Sequence, residues 1–189
     1  MLEILLEWDK ALFLWLNGLH TDWMDPVMFW ISDKKIWIPF YLLIAGWIIR
    51  EYKWKGIIVL LGIGLAITAT DQTCSGFMKP FFERFRPSRN PALEGLVHVV
   101  NDYRGGSFGF SSSHAGNTFS LATFLFFIFR NKYPWFSWMF LWAAIVSYSR
   151  IYLGVHYPGD ILVGAAIGTI YGYLAYRLTC YSLVKFAKK

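Results

Sequence analysis

The sequence is poor in charge and in cysteine, and each shortage excludes something. Only 16% of its 189 residues are Asp, Glu, Lys or Arg, against about 25% in an ordinary soluble domain. So few charges exclude a disordered chain, which stays unfolded through high charge and low hydrophobicity, and equally a charge-rich coiled coil. Two cysteines, Cys74 and Cys180, each within an apolar stretch, exclude a secreted disulfide scaffold and read as small buried hydrophobes. No pair of His or Cys has the spacing of a zinc site, so no metal is expected. No repeat and no low-complexity segment is visible. In place of charge there is apolar surface: 56% hydrophobic residues and 20% aromatic ones, including 10 Trp and 17 Phe. A water-soluble fold of this length could not hide so much, and the chain reads as one integral membrane domain over residues 1–189, all-α and polytopic.

Charge-free runs lie between Lys35 and Arg50, Lys55 and Asp71, Arg104 and Arg130, Lys132 and Arg150, and Asp160 and Arg177. Four of them hold only 14–17 residues, short of the ~20 that cross a ~30 Å hydrocarbon core. Boundary charges that snorkel to headgroups, or that point into a polar cavity, make up the difference. Five spanning helices are expected near 35–50, 55–77, 113–130, 134–151 and 159–179. Residues 1–33 differ. Leu2, Leu5, Leu6, Trp8, Leu12, Trp15, Leu16 and Leu19 fall on one side of a helix, with Glu3, Glu7 and Lys10 opposite, the pattern of an amphipathic interfacial helix. Glu3, Glu7 and Asp9 stand where a cleaved signal peptide would carry its basic start. Asn17-Gly18 ends that helix and Asp25-Pro26 opens a short second one.

Five crossings put the two ends of the chain on opposite sides. One side then holds Arg50, Lys53, Lys55, Arg130, Lys132, Arg177, Lys185, Lys188 and Lys189, and the other also carries nine basic residues. The tie is broken by loop length, because positive charge sets topology through short loops, and much of the second group lies in the long stretch from Lys79 to Arg104. The tail side is therefore expected to be cytoplasmic. The segments from Met78 to Ser112 and from Arg150 to Asp160 then emerge together on the outer face.

Both outer segments are crowded with groups a bilayer would exclude. KPFFERFRP places Lys79 and Arg86 seven apart, SSSH runs from Ser111 to His114, and SRIYLGVHYPGD holds Arg150, His156 and Asp160. Three permanent cations would repel one another unless something multiply anionic sat between them, and a phosphate ester fits: Arg grips its oxygens in a bidentate fork and Lys supplies a point charge. Ser112 adds a hydroxyl, and the start of the third helix adds backbone N–H groups and the positive end of a dipole. His156 and Asp160, four apart, share a helical face, so the carboxylate can fix the ring tautomer that leaves the other nitrogen free to attack. His114 can protonate the leaving oxygen. No metal or other cofactor is required.

These stretches resemble the three signature motifs of the phosphatidic acid phosphatase type 2 superfamily, to which vanadium haloperoxidases and bacterial acid phosphatases also belong. The first and third match at every defined position: Lys79, Arg86 and Pro87, then Ser149, Arg150, His156 and Asp160. The resemblance implies that His156 is the nucleophile, Asp160 its orienter and His114 the acid and then the base. It implies that Lys79, Arg86, Ser112, Ser113 and Arg150 hold the phosphoryl group. In the second motif Ser111 replaces the family's Pro and Ser113 its Gly; serine is small and keeps the backbone N–H, so the anion hole is expected to survive.

The implied activity is hydrolysis of a phosphate monoester or diphosphate on a membrane lipid at the outer face of a bacterial cytoplasmic membrane. Undecaprenyl diphosphate, phosphatidylglycerophosphate, phosphatidic acid and lipid A are the candidate substrates. Two rivals are a lipid phosphotransferase and a non-catalytic membrane protein that binds or transports an anion. Binding alone needs no nucleophile with an orienting carboxylate. Nucleic acid is not expected as a partner, since the net charge of +6 is spread over both faces, and nothing in the sequence assigns an oligomeric state. Outside the motif positions, Arg84, Arg89 and Arg104 read as headgroup or surface cations, and His20 and His98 as structural. Asp71 is a candidate partner for a motif cation. The tryptophans read as interfacial belts.

Overall fold

A computed structural model describes residues 2–187. Helices α1 (Leu2–Asn17), α2 (Met24–Ser32), α3 (Ile38–Tyr52), α4 (Gly56–Asp71), α5 (Lys79–Phe82), α6 (Ser113–Phe129), α7 (Trp138–Tyr152) and α8 (Pro158–Ala187) follow one another in sequence. A π-helical stretch, Gln72–Met78, carries α4 into α5. Among the described residues the only extended pairing is an isolated bridge between Phe85 and Phe108.

Five of these helices fall on the expected spans. The last runs eight residues past position 179, to Ala187, and the fourth begins with a 3-10 turn, Pro134–Ser137, because the proline opens it. The stretches Lys34–Phe82 and Pro158–Lys185 contain windows long and apolar enough to cross a membrane. Leu42, Leu43, Leu61, Leu162 and Val184 all face outward from the bundle.

α1 and α2 lie where the amphipathic reading puts interfacial helices in sequence. α1 turns Leu5, Leu6, Trp8, Leu12 and Trp15 away from the protein, and buries Phe13 and Asn17. Phe13 packs with Leu93, Ile151 and Tyr157, which ties α1 to the end of α7 and to the loop that follows. Asn17 completes the tie. Its Nδ2 donates to the carbonyls of Ile151 at 3.2 Å and Tyr152 at 2.8 Å, at the helix end where carbonyls run short of helical partners. The side chain of Leu2, and Lys188 and Lys189 of the basic tail, lie outside the described residues.

α6 is the central helix, packed against α4, α7 and α8. Phe124, Leu125, Ala122, Val59, Ile48 and Ala143 form the main apolar core at the end of the bundle away from the motifs. Along the α6–α8 seam, Gly164, Gly168 and Gly172 recur every four residues on one face of α8. Added Cβ atoms there would run into the backbone of Ser112, Gly116 and Ser120, so small residues let the two helices close to backbone contact. That approach fixes the start of α6 beside the start of α8: the Ser112 N–H donates to the Asp160 carbonyl at 3.0 Å.

Candidate active site

The three motifs meet at one end of the bundle. Lys79 opens α5, and its Nζ donates to Ser75 Oγ at 3.0 Å and Ser113 Oγ at 3.3 Å. The second contact links the first motif to the second through the serine that stands in place of glycine. Arg86 is buried, its Nε donating to the Phe108 carbonyl at 3.1 Å and its Nη1 to the Val155 carbonyl at 3.3 Å. Arg150, near the end of α7, is buried as well. It donates through Nη1 to Ser32 Oγ and through Nη2 to the Tyr103 hydroxyl at 3.2 Å, while its Nε has no protein partner. Burial, followed by the Arg86 guanidinium, lowers Lys79 to about 8, because the pocket concentrates positive charge with no carboxylate in ion-pair contact with that amine.

Ser112 caps α6, its Oγ accepting from Ala115 N at 3.4 Å. The N–H groups of the first turn beyond it have no helical acceptor, as at any helix start. His156 is 1% exposed, and its Nδ1 lies 3.3 Å from Asp160 Oδ2, which also accepts the Tyr157 N–H at 3.0 Å. Burial first, then the cations of Arg86, Arg150 and Lys79, drive His156 well below the ordinary histidine range. The ring is therefore neutral near pH 7, with a lone pair on one nitrogen.

His114 sits on the first turn of α6 and lines two cavities. One, of about 430 Å³, brings the charged side chains of Asp33, Lys34, Lys35 and Arg150 together with Tyr103, Phe29 and Leu153. The other, of about 470 Å³, runs among α3, α4, α6 and α7 and is walled by Ile44, Leu60, Ile63, Leu121 and Trp142. Ser32 and Lys34 line both. A charged vestibule thus adjoins an apolar slot, with a histidine where they join.

Every motif residue picked from spacing lies in this region. Two other expectations are corrected. Asp71 accepts from Asn117 Nδ2 at 3.2 Å and makes no ion pair with a motif cation, because Lys79 turns to Ser75 and Ser113. Arg84 is not a surface cation: it bridges Asp9 at 2.7 Å and Asp160 at 2.8 Å. Arg89 and Arg104 are exposed, as expected, and donate to backbone carbonyls. His98 stacks on His20 with ring centroids 3.7 Å apart and meets Asp25 at 3.0 Å, a structural arrangement. Ser32, Tyr103 and Asp9 went unnoticed because their partners are 47 to 150 positions away, where spacing carries no signal.

Residues 55–182 match a family model described as the PAP2 superfamily. A protein of Bacteroides thetaiotaomicron named lipid A 4'-phosphatase is 43% identical over 180 residues, covering 93% of this chain and 79% of that protein. One of the same name from Porphyromonas gingivalis is 40% identical over 183 residues, covering 96% and 77%. The crystal structure of a transmembrane PAP2-type phosphatidylglycerolphosphate phosphatase from Bacillus subtilis has TM-score 0.68 at 23% identity, over 93% of this chain and 86% of that one. That of Aquifex aeolicus LpxE gives 0.65 at 24%, over 89% and 94%. At these identities the two structures speak for the shared fold.

Proposed function

Because the chain belongs to the PAP2 superfamily, and is a membrane phosphatase acting on lipid phosphate esters, we propose that it removes a phosphate monoester of the lipid A type through a phosphohistidine on His156. The observation that carries the mechanism is the buried pair of His156 and Asp160, 3.3 Å apart, beside three cations. With Nδ1–H held by Asp160, Nε2 of the neutral ring attacks phosphorus. The ester P–O bond breaks, and the leaving sugar oxygen takes a proton from His114. His114, now a base, removes a proton from water. The resulting attack on the phosphohistidine breaks the P–N bond and releases inorganic phosphate.

In this reading Lys79, Arg86, Arg150, Ser112 and Ser113, with the free N–H groups at the start of α6, hold the three equatorial oxygens of the phosphoryl group. The choice of a glycolipid phosphate is supported by the two relatives at 43% and 40% identity. The apolar slot of about 470 Å³ beside His114 supports a substrate that brings acyl chains. We place the site on the periplasmic face of a bacterial inner membrane, supported by the basic short loops at the opposite end of the bundle. There, Lys132 pairs with Glu51 at 2.5 Å.

Phosphate release by the purified protein tests this against a panel of lipid A, phosphatidylglycerophosphate, phosphatidic acid and undecaprenyl diphosphate, with mass spectrometry of the lipid product. Lipid A that loses its 4'-phosphate faster than the other lipids lose theirs is the expected result. A clear preference for another lipid would redirect the substrate assignment and leave the phosphatase reading standing. No release from any of them would contradict that reading. In whole cells, a cysteine placed at Asn101 is expected to react with a membrane-impermeant thiol reagent and one at Lys53 is not; the reverse pattern contradicts the orientation.

A further inference from the structure

Three side chains from three separate elements form one line of alternating charge that ends on the nucleophile's carboxylate. Asp9 comes from α1, Arg84 from the loop after α5, and Asp160 from the first turn of α8. Arg84 Nη2 donates to Asp9 Oδ2 at 2.7 Å and Nη1 to Asp160 Oδ1 at 2.8 Å. Its guanidinium carbon lies 4.0 Å from the centroid of the Tyr157 ring, and the Tyr157 hydroxyl accepts from Asn90 at 3.0 Å. Asp9 is held a second time, because its Oδ1 accepts the Gly159 N–H at 2.7 Å. An added Cβ at Gly159 would come within 2.8 Å of the Asp9 carboxylate, so a larger residue there would push that carboxylate aside.

The consequence falls on Asp160, which is fully buried and has two oxygens to satisfy. Oδ2 serves the His156 ring and the Tyr157 N–H. Were Oδ1 left free, the carboxylate could turn toward the phosphate-binding cations and abandon the ring. Arg84 occupies Oδ1 with a donor that is itself fixed on two sides, so the carboxylate plane cannot rotate. Arg84 is also held away from the phosphoryl group, since both of its terminal nitrogens already have a carboxylate.

We propose that Arg84, anchored by Asp9 of α1, is a positioning residue for His156: it locks the Asp160 carboxylate so that the ring keeps one nitrogen turned to the substrate. The inference rests on His156 being the nucleophile. It assigns a role in turnover to a helix that lies outside the 55–182 family match.

The test compares wild type, R84A, R84K and D9N, purified in detergent and checked for folding by thermal unfolding. Steady-state kinetics use the best lipid of the panel, with and without added guanidinium chloride at low millimolar concentration. Expected for R84A is a kcat about 10–100-fold below wild type, with KM within about threefold, and partial recovery by guanidinium. R84K, reaching one carboxylate rather than two, should fall between. D9N should lose several-fold in kcat. An R84A enzyme that folds yet turns over at the wild-type rate overturns the proposal. So does a loss confined to KM, which would make Arg84 a substrate contact, or a lowered kcat that guanidinium does not raise, which would make the bridge merely structural. If R84A does not fold, D9N decides: a lowered kcat at unchanged KM upholds the role and an unchanged kcat overturns it. Failure of the underlying reading shows separately, as an inactive wild type or a fully active H156A.

Discussion

The stretch from Lys79 to Asp160 contributes every side chain assigned to phosphoryl chemistry, whereas the residues before Lys34 contribute only neighbours. Asp9 holds Arg84, Ser32 holds Arg150, and Asn17 holds the carbonyls where α7 ends. The difference teaches how the site is divided. Chemistry sits on a few charged residues at motif spacing, and aim is supplied by two helices packed on from outside, at partner separations of 75 to 135 positions. If the division is right, loss of a side chain that carries the chemistry destroys turnover, and loss of a supporting side chain lowers turnover, ligand affinity or stability while sparing the reaction type.

The sharpest break is H156A, which removes the covalent step and no cation. Loss of a nucleophile from a coupled unit costs about 10⁴-fold or more in kcat. Phosphate release should become undetectable while the melting temperature and detergent-phase behaviour stay close to wild type. A variant retaining a tenth of the activity would disprove the assignment. Orthovanadate should inhibit the wild-type enzyme, since a trigonal bipyramid bonded to His156 imitates the phosphoryl group in transfer.

On the supporting side, S32A takes a hydroxyl acceptor from Arg150 and leaves the guanidinium with Tyr103 as its remaining side-chain partner. The net value of a hydrogen bond to a charged group is about 1.5–3 kcal/mol. Vanadate inhibition should therefore weaken by roughly tenfold or more, and a kcat loss comparable to H156A would erase the division. N17A removes the donor to two helix-end carbonyls and the acceptor for the His98 N–H. Leaving these buried costs about 1–3 kcal/mol, so thermal unfolding in detergent should shift down by several degrees while kcat moves little.

The smallest effect at neutral pH belongs to Lys79. Its amine, lowered to about 8 by burial and by Arg86, is charged below that pH and neutral above it. Phosphate capture, read as kcat/KM, should then decline as pH rises through about 8. K79R keeps its charge throughout and should flatten that alkaline limb. A decline of the same shape in K79R would assign it to another group.

Much of this was legible in the sequence. Helices α3, α4, α6, α7 and α8 follow from charge-free runs, and the cluster of Lys79, Arg86, His114, Arg150, His156 and Asp160 from spacing, because hydrophobic periodicity and motif intervals are local properties of the chain. Arg84 shows where legibility ends. It sits two residues before Arg86 and looks like one more basic residue at a membrane edge, and only the packing of α1 beside α8 gives it Asp9 and Asp160 as partners. Asp71 erred in the opposite direction. A carboxylate at a helix end near three cations invites pairing, yet Asn117 on the facing helix was closer. Ser113 is a third case. Read as a tolerated replacement for glycine, it also supplies an acceptor for Lys79 that glycine would lack.

The central claim, a phosphoryl group carried on His156, is tested most directly by trapping it. Wild-type enzyme would be mixed with lipid bearing a radiolabelled phosphate, quenched in alkali during turnover, and digested for peptide mapping. The account predicts an acid-labile, alkali-stable label on the peptide containing His156, absent from H156A. A label on another residue, or full turnover in H156A, would contradict it.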